Sequence, residues 1–106
     1  MARFEVEIRF EDRIVVLGLT GRLTAETTSI LQTVMDTLVD VVDGIVFDFA
    51  GLDAVDDFGV EVLEQVMKSR WAAGWRVGVR NTRRDPRSIT QRYGLRDLTA
   101  EDLVID

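Results

Sequence analysis

Residues 45–63 read IVFDFAGLDAVDDFGVEVL, in which a short apolar segment is followed by a polar one and then by a longer mixed one. The apolar segment, residues 45–49, predicts a short central β-strand. The segment AGLDAVDD, residues 50–57, contains a glycine and three aspartates and predicts a loop. A helix of about residues 58–73 follows, and Gly74 ends it. A strand, a loop and a helix in this order indicate an α/β protein.

Two strands joined as a hairpin are predicted upstream of this segment. Residues 3–11 alternate strictly between charged and apolar side chains, which is typical of a half-buried strand. Residues 14–20 (IVVLGLT) are apolar throughout, as in a strand covered on both faces. The polar residues Glu11, Asp12 and Arg13 form the turn between the two strands.

A helix is predicted between the hairpin and the strand at residues 45–49. Gly21 breaks the preceding strand, Thr24 is the predicted N-cap, and Asp43-Gly44 ends the helix. The apolar residues of this segment recur at spacings of three and four, as a helix with one buried face requires. They are Ile30, Leu31, Val34, Met35, Leu38, Val41 and Val42.

Three elements are predicted after Gly74. Residues 75–80 alternate as a fourth strand, Asp85-Pro86 suits the start of a short helix that reaches Tyr93, and residues 103–105 predict a closing edge strand. Helices that join successive strands need crossover connections, so the strands that they join run parallel. The predicted architecture is one α/β domain over residues 1–106, with helices packed on a mixed sheet of four to five strands.

The composition excludes several classes of function. The 106 residues contain no Cys and no His, which removes disulfides, thiolate nucleophiles, Ser-His-Asp catalysis and the commonest metal ligands. The longest apolar runs are far shorter than the roughly 20 residues that cross a bilayer, and no signal peptide is recognisable. We therefore expect a cytoplasmic protein without membrane insertion.

The charge is unevenly distributed along the chain. The net charge is -6, yet residues 68–96 hold nine basic residues and a single acid, Asp85. An arginine-rich segment of this kind binds phosphates in some proteins. No nucleic-acid recognition motif accompanies it, and the acidic remainder of the chain repels a polyanion. We therefore expect no nucleic-acid binding.

Residues 45–63 resemble the central signature of the STAS domain, the module of anti-sigma factor antagonists. In that family a strand ends in Asp-Leu-Ser, and Asp-Ser-Ser/Thr-Gly-Leu/Val opens a helix after a short loop. Asp48-Phe49-Ala50 stands for the first motif and residues 56–60 (DDFGV) for the second, with no gap. The segment GLTGRLTAET, residues 18–27, resembles the family's turn into its first helix, and residues 86–95 resemble its closing segment.

The resemblance implies a non-catalytic module that takes part in transcription regulation by partner switching. Its partner would be an anti-sigma factor that is also a serine kinase, bound through Asp56, Asp57, Phe58, Gly59 and Val60. The family's phosphorylated Ser corresponds to Asp57 here, so the usual modification is impossible. Asp57 either holds a partial mimic of the phosphorylated state, since it carries about -1 against roughly -1.5 to -2 for a phosphoserine, or serves only as a helix cap, a role that Asp56 could also have.

Other residues near the motif have two interpretations each. Phe58 either packs inward at the helix start or points outward as an apolar contact for the partner. Asp48 is expected to accept hydrogen bonds in the loop that follows its strand. Trp71 and Trp75 are expected to pack in the core or between helix and strand rather than to serve as exposed anchors.

The chain also resembles the small STAS subunits of lipid-transporting ABC systems, which depart from the double-Ser motif too. Such a subunit would dock on the transporter ATPase without being switched. Neighbouring genes would separate the two functions: genes for a permease and an ATPase would favour this one, and a gene for a sigma factor or a kinase would favour partner switching.

An enzymatic function is the least favoured. Asp48, Asp53, Asp56 and Asp57 lie within ten residues, a pattern that a magnesium site or an aspartyl-phosphate receiver also shows. A receiver needs a lysine after its fifth strand, whereas the only lysine, Lys68, falls within the predicted helix. No glycine-rich phosphate loop is present. We expect no catalysis, metal or cofactor.

Overall fold

The alternating and apolar segments form the strands of one mixed sheet. A computed structural model describes residues 3–38 and 43–81. In chain order the elements are β1 (Phe4–Glu11), β2 (Ile14–Leu23), α1 (Thr28–Thr37), β3 (Gly44–Val55), α2 (Asp57–Ala72) and β4 (Arg76–Arg80). The strand order is β1-β2-β3-β4, with β1 antiparallel to β2 and the other neighbours parallel. The predicted α/β fold with a mixed sheet is confirmed.

Two predicted elements, the helix at residues 86–93 and the edge strand at residues 103–105, lie outside the described residues. Within the described ranges, neither helix has the length and apolarity needed to cross a membrane.

The core lies between the sheet and the two helices. Alternate residues of β2 and β3 point toward the helices, among them Leu17 and Phe47, which are fully buried. Leu31 of α1 and Leu63 of α2 meet them from the other side, each with no exposed surface. The opposite face of the sheet carries a smaller buried cluster of Ile14, Val16 and Val46. Residues 14–17 are all buried, which confirms a strand covered on both faces.

The central strands are longer than predicted. β2 continues through Gly21 to Leu23, and β3 continues past Phe49 to Val55, so both the predicted strand break and the predicted loop at residues 50–57 are wrong. The extra residues pair with each other, Thr20 opposite Gly51 and Leu23 opposite Val55, with register shifts between them. β-Bulges let polar, glycine-containing segments remain in a sheet.

The first helix begins later and ends earlier than predicted. Thr24 is not the N-cap: it lies in a turn, and α1 starts at Thr28. The Thr27 hydroxyl holds this turn, accepting a hydrogen bond from the Thr24 N–H (2.9 Å) and donating one to the Arg22 carbonyl (2.8 Å). The helix ends at Thr37 because Leu38 is extended, so the predicted end at Asp43-Gly44 is wrong. Residues 39–42, with Val41 and Val42, lie outside the described residues.

The second helix and the strand after it agree with prediction. α2 ends at Ala72, and Gly74 (φ +91°) allows the chain to turn toward β4. Trp75 is buried, with the Arg70 guanidinium 4.7 Å from its ring centre, as expected of a packing residue. Trp71 was also expected to pack in the core or between helix and strand, but it is 66% exposed, so this prediction is wrong. Leu63 and Met67 lie on the buried face of α2, and Trp71 is exposed although it follows Met67 by one turn.

Candidate functional site

The start of α2 is fixed by the carboxylate of Asp56. Its backbone is extended, as in an N-cap, and its Oδ1 accepts a hydrogen bond from the Gly59 N–H at 2.9 Å. Its Oδ2 accepts a second one from the Ala25 N–H, in the loop between β2 and α1, at 3.0 Å. Of the two aspartates considered as caps, Asp56 is therefore the one that caps α2, and it also ties the helix to this loop.

Gly59 permits close contact between α2 and the end of β2. A Cβ at this position would overlap the Leu23 carbonyl oxygen and would lie 2.7 Å from Val55 Cγ1. The same Leu23 oxygen accepts a hydrogen bond from the Asp56 N–H at 3.2 Å. The first turn of α2 thus lies against the backbone of β2, and no side chain larger than hydrogen fits between them.

The five predicted partner-binding residues divide into exposed and supporting ones. Asp57 and Phe58 are exposed, and Phe58 is 61% exposed, so it points outward. Gly59 and Val60 are buried, and Asp56 is half-buried in its role as a cap. Asp57, the first residue of α2, lies where the helix dipole favours negative charge. Only Asp57 and Phe58 of the set therefore present their side chains outward.

The chain segments on either side of Phe58 are acidic. Residues 23–67 contain ten Asp and Glu and no Lys or Arg. Among them Glu26, Asp53, Asp57 and Glu61 are exposed. Asp57 and Glu61 are four residues apart on α2, a spacing at which like charges repel. An exposed aromatic ring within acidic segments fits an apolar pocket edged by Lys or Arg.

Asp48 lies in a separate polar cluster on the opposite face of the sheet. Its Oδ1 accepts hydrogen bonds from the Ala50 N–H (3.0 Å) and the Asn81 Nδ2 (2.7 Å), and its Oδ2 lies 3.7 Å from the Arg9 guanidinium. The expectation that Asp48 accepts hydrogen bonds from the following segment is confirmed. Within residues 3–38 and 43–81, no three acidic side chains come together as metal ligands do, so the four aspartates at residues 48–57 do not form one cluster.

Replacing Asp56 by alanine is expected to lower the free energy of unfolding by about 1 to 2 kcal/mol. The substitution removes the cap of α2 and the acceptor of the Ala25 N–H. Urea unfolding followed by circular dichroism measures the loss. Asp57→Ala is the matched control and should cost less, about 0.3 to 1 kcal/mol, the usual contribution of a negative charge in the first turn of a helix. Equal losses for the two variants would contradict the assignment of the cap.

Comparison with known proteins identifies the fold of this chain. The family model of the STAS domain matches residues 5–103. The phosphorylated form of SpoIIAA, a cell fate determinant of Bacillus, is 24% identical with a TM-score of 0.71, over 94% of this chain and 95% of that one. An anti-sigma factor antagonist from Mycobacterium paratuberculosis is 17% identical with a TM-score of 0.73, over 95% and 91%.

A third solved structure is only a partial counterpart. A protein called Mglu is 23% identical with a TM-score of 0.65 over 69% of this chain, which spans 18% of the length of Mglu. At these identities the structural matches show the fold alone. No curated protein matches the sequence significantly. The family match covers nearly the whole chain, and the described architecture agrees with it: this chain belongs to the STAS domain family.

Proposed function

We propose that this protein is a non-catalytic regulatory module that binds a protein partner through the exposed start of α2. The partner is an anti-sigma factor that is also a serine kinase, and the protein acts in transcription regulation by partner switching. The proposal includes a cytoplasmic location and a single STAS domain over residues 1–106. The observation that carries it is the outward position of Asp57 and Phe58 on a helix start that Asp56 and Gly59 hold in place.

The charge of Asp57 supports a fixed signalling state. Asp57 is exposed at the first position of α2, where the family's phosphorylated Ser would lie. A phosphate there would be stabilised by the unpaired N–H groups and the dipole of the helix start. Aspartate supplies part of that charge permanently. We infer that the protein stays in a state similar to the phosphorylated one and responds to no kinase at this position.

The neighbouring carboxylates support a binding role rather than chemistry. Both oxygens of Asp56 accept backbone hydrogen bonds, from Gly59 and Ala25. Asp48 is likewise engaged, by Ala50, Asn81 and Arg9. Carboxylates whose oxygens hold local structure in this way are poorly placed to act as a general acid or base.

The test is an affinity purification of the tagged protein from its own cells, beside Asp57→Ser and Asp57→Ala. We expect an anti-sigma kinase to bind weakly to the native chain and more strongly to Asp57→Ser, which should also become phosphorylated, as intact mass would show. Asp57→Ala is the matched control, because it removes the charge without supplying a hydroxyl.

Two outcomes would contradict this proposal. If a kinase bound the native chain and Asp57→Ser equally and modified them to the same extent, position 57 would not be the switch. If the purification recovered a transporter ATPase in equal amounts with the native chain and with both Asp57 variants, the protein would belong with the ABC systems. Asp57 would then have only a local effect on the helix.

A further inference from the structure

A groove with a volume of about 200 Å³ lies between the C-terminal halves of α1 and α2. Every residue that lines it belongs to one of these two helices. Its apolar residues are Met35, which is buried, and Val66, which is half-buried. At about 30 Å³ per water molecule the groove has room for about seven waters, or for a small molecule with a similar number of non-hydrogen atoms.

The wall that α1 contributes carries a negative charge without a partner. Gln32 and Asp36 are four residues apart, which places them on the same side of α1, and both are exposed. Within the described residues, Asp36 forms no ion pair and neither side chain forms a hydrogen bond. Asp36 also lies in the last turn of α1, which has no basic residue and where the helix dipole disfavours negative charge. A cationic group bound beside Asp36 would offset both effects.

The wall that α2 contributes carries hydrogen-bond donors. Gln65 and Ser69 are also four residues apart and exposed, and neither side chain forms a hydrogen bond within the described part of the chain. Arg70 is held in place beside them: its Nη2 donates to the Met35 carbonyl at 2.7 Å, and its guanidinium lies 4.7 Å from the ring centre of Trp75. A guanidinium has five N–H donors, so others remain for an anionic ligand in the groove.

The two charges of the groove do not pair with each other. Asp36 and Arg70 line the same groove, yet they form no ion pair, because the guanidinium is directed to the Met35 carbonyl and the Trp75 ring. Opposite charges held apart in a small groove match a ligand that carries a cationic and an anionic group on a short backbone. A free amino acid is such a ligand, since its ammonium and its carboxylate are both ionised near neutral pH.

We propose that the groove between α1 and α2 binds a small free α-amino acid as its zwitterion. The ammonium lies against Asp36, the carboxylate against Arg70 and Ser69, and the side chain against Met35. The volume of the groove limits the ligand to about the size of serine, threonine or valine. The site is in the other half of α2 from Phe58 and does not rest on the function proposed for the start of that helix.

Titration of the full-length protein with serine, threonine and valine, followed by heteronuclear NMR, tests this site. We expect saturable shifts of the groove residues with a Kd of about 1 mM or lower for at least one of the three, since so small a ligand makes few contacts. The side-chain amides of Gln32 and Gln65 report on the groove directly. Propionate has only the carboxylate, isobutylamine has only the ammonium and glycerol has neither, so none of them should cause saturable shifts over the same concentrations.

The variant Asp36→Asn tests the ammonium contact and keeps the shape of the side chain. It should raise the Kd of the amino acid about tenfold or more, because hydrogen bonds between charged groups are the strong ones. The fold should be unaffected, since the substitution removes a charge that the end of α1 disfavours. Asp53→Asn is the matched control: it removes the charge of another exposed aspartate, in β3 and outside the groove, and should leave the Kd unchanged.

The proposal is wrong if none of the three amino acids causes saturable shifts, or if the shifts lie outside the groove. It is also wrong if Asp36→Asn and Asp53→Asn weaken binding equally. Binding of propionate or isobutylamine as tight as that of the amino acid would contradict recognition of the zwitterion, because one charged group would then suffice.

Discussion

Replacing Gly59 by alanine is expected to lower the free energy of unfolding by about 1 to 2 kcal/mol. A methyl group at this position would overlap the Leu23 carbonyl oxygen, a backbone atom that moves only with β2 itself. The same methyl group would lie 2.7 Å from Val55 Cγ1, so it could not avoid the Leu23 oxygen by shifting toward Val55. Forced overlap of this kind costs about 1 to 3 kcal/mol and outweighs the advantage of roughly 1 kcal/mol that alanine has over glycine in a helix.

The measurement is urea unfolding of Gly59→Ala beside Gly18→Ala. Gly18 also lies in regular structure, and a Cβ there would meet the nearest atom, Glu7 Cβ, at an ordinary 3.7 Å. Gly18→Ala is therefore expected to be neutral or to stabilise by about 0.5 kcal/mol through the unfolded state. If both variants were equally stable, α2 would not lie against the β2 backbone as described.

The elements of the sheet were predictable because their periodicity follows from burial. The alternation at residues 3–11 and the apolar run at residues 14–20 correspond to β1 and β2, and the crossover rule supplied the parallel neighbours. The ends of the strands were not predictable. Residues 21–23 and 51–55 have loop-like composition and become strands only by pairing with each other, a contact between distant segments that local composition does not report.

The candidate site was only partly predictable, because it too depends on contacts between distant segments of the chain. An aspartate before a helix indicates a cap, and Asp56 is one, but its second bond, to the Ala25 N–H, joins segments 31 residues apart. The orientation of Phe58 was open as well: a residue in the first turn of a helix faces outward or inward according to how the helix packs on the sheet, and the packing fixed by Gly59 turns it outward. Trp71 follows the buried Met67 by four residues, a spacing that places it near the buried face of α2, so its 66% exposure could not be predicted from the helical pattern.

The contacts of Asp56 and Gly59 hold the backbone on either side of Phe58 in place. Asp56 fixes the helix start through two hydrogen bonds, and the Asp56 N–H and the Gly59 Cα both lie against the Leu23 carbonyl. A backbone that is already ordered loses little entropy on binding, so the ordering cost that remains is that of fixing the Phe58 side chain. The first turn of α2 therefore combines an exposed aromatic side chain with a preorganised backbone.

Replacing Phe58 by alanine is expected to weaken binding of the partner about 30-fold, which corresponds to about 2 kcal/mol. With 61% of its surface exposed, the side chain offers about 120 Å² for burial, equivalent to about 3 kcal/mol before ordering costs. Titration calorimetry with the purified partner that the native chain retains measures the change. The unfolding free energy of Phe58→Ala should stay close to that of the native chain, since little of the ring is buried.

Trp71→Ala is the control for this experiment, because Trp71 is a comparably exposed aromatic residue (66%) near the opposite end of the same helix. It should leave the affinity unchanged if the partner contacts only the start of α2. The acidic segments on either side of Phe58 add a second expectation: raising the salt concentration should weaken binding of the native chain and of Trp71→Ala in parallel, since both keep Asp57 and Glu61. A larger loss with Trp71→Ala than with Phe58→Ala would move the binding surface to the end of α2.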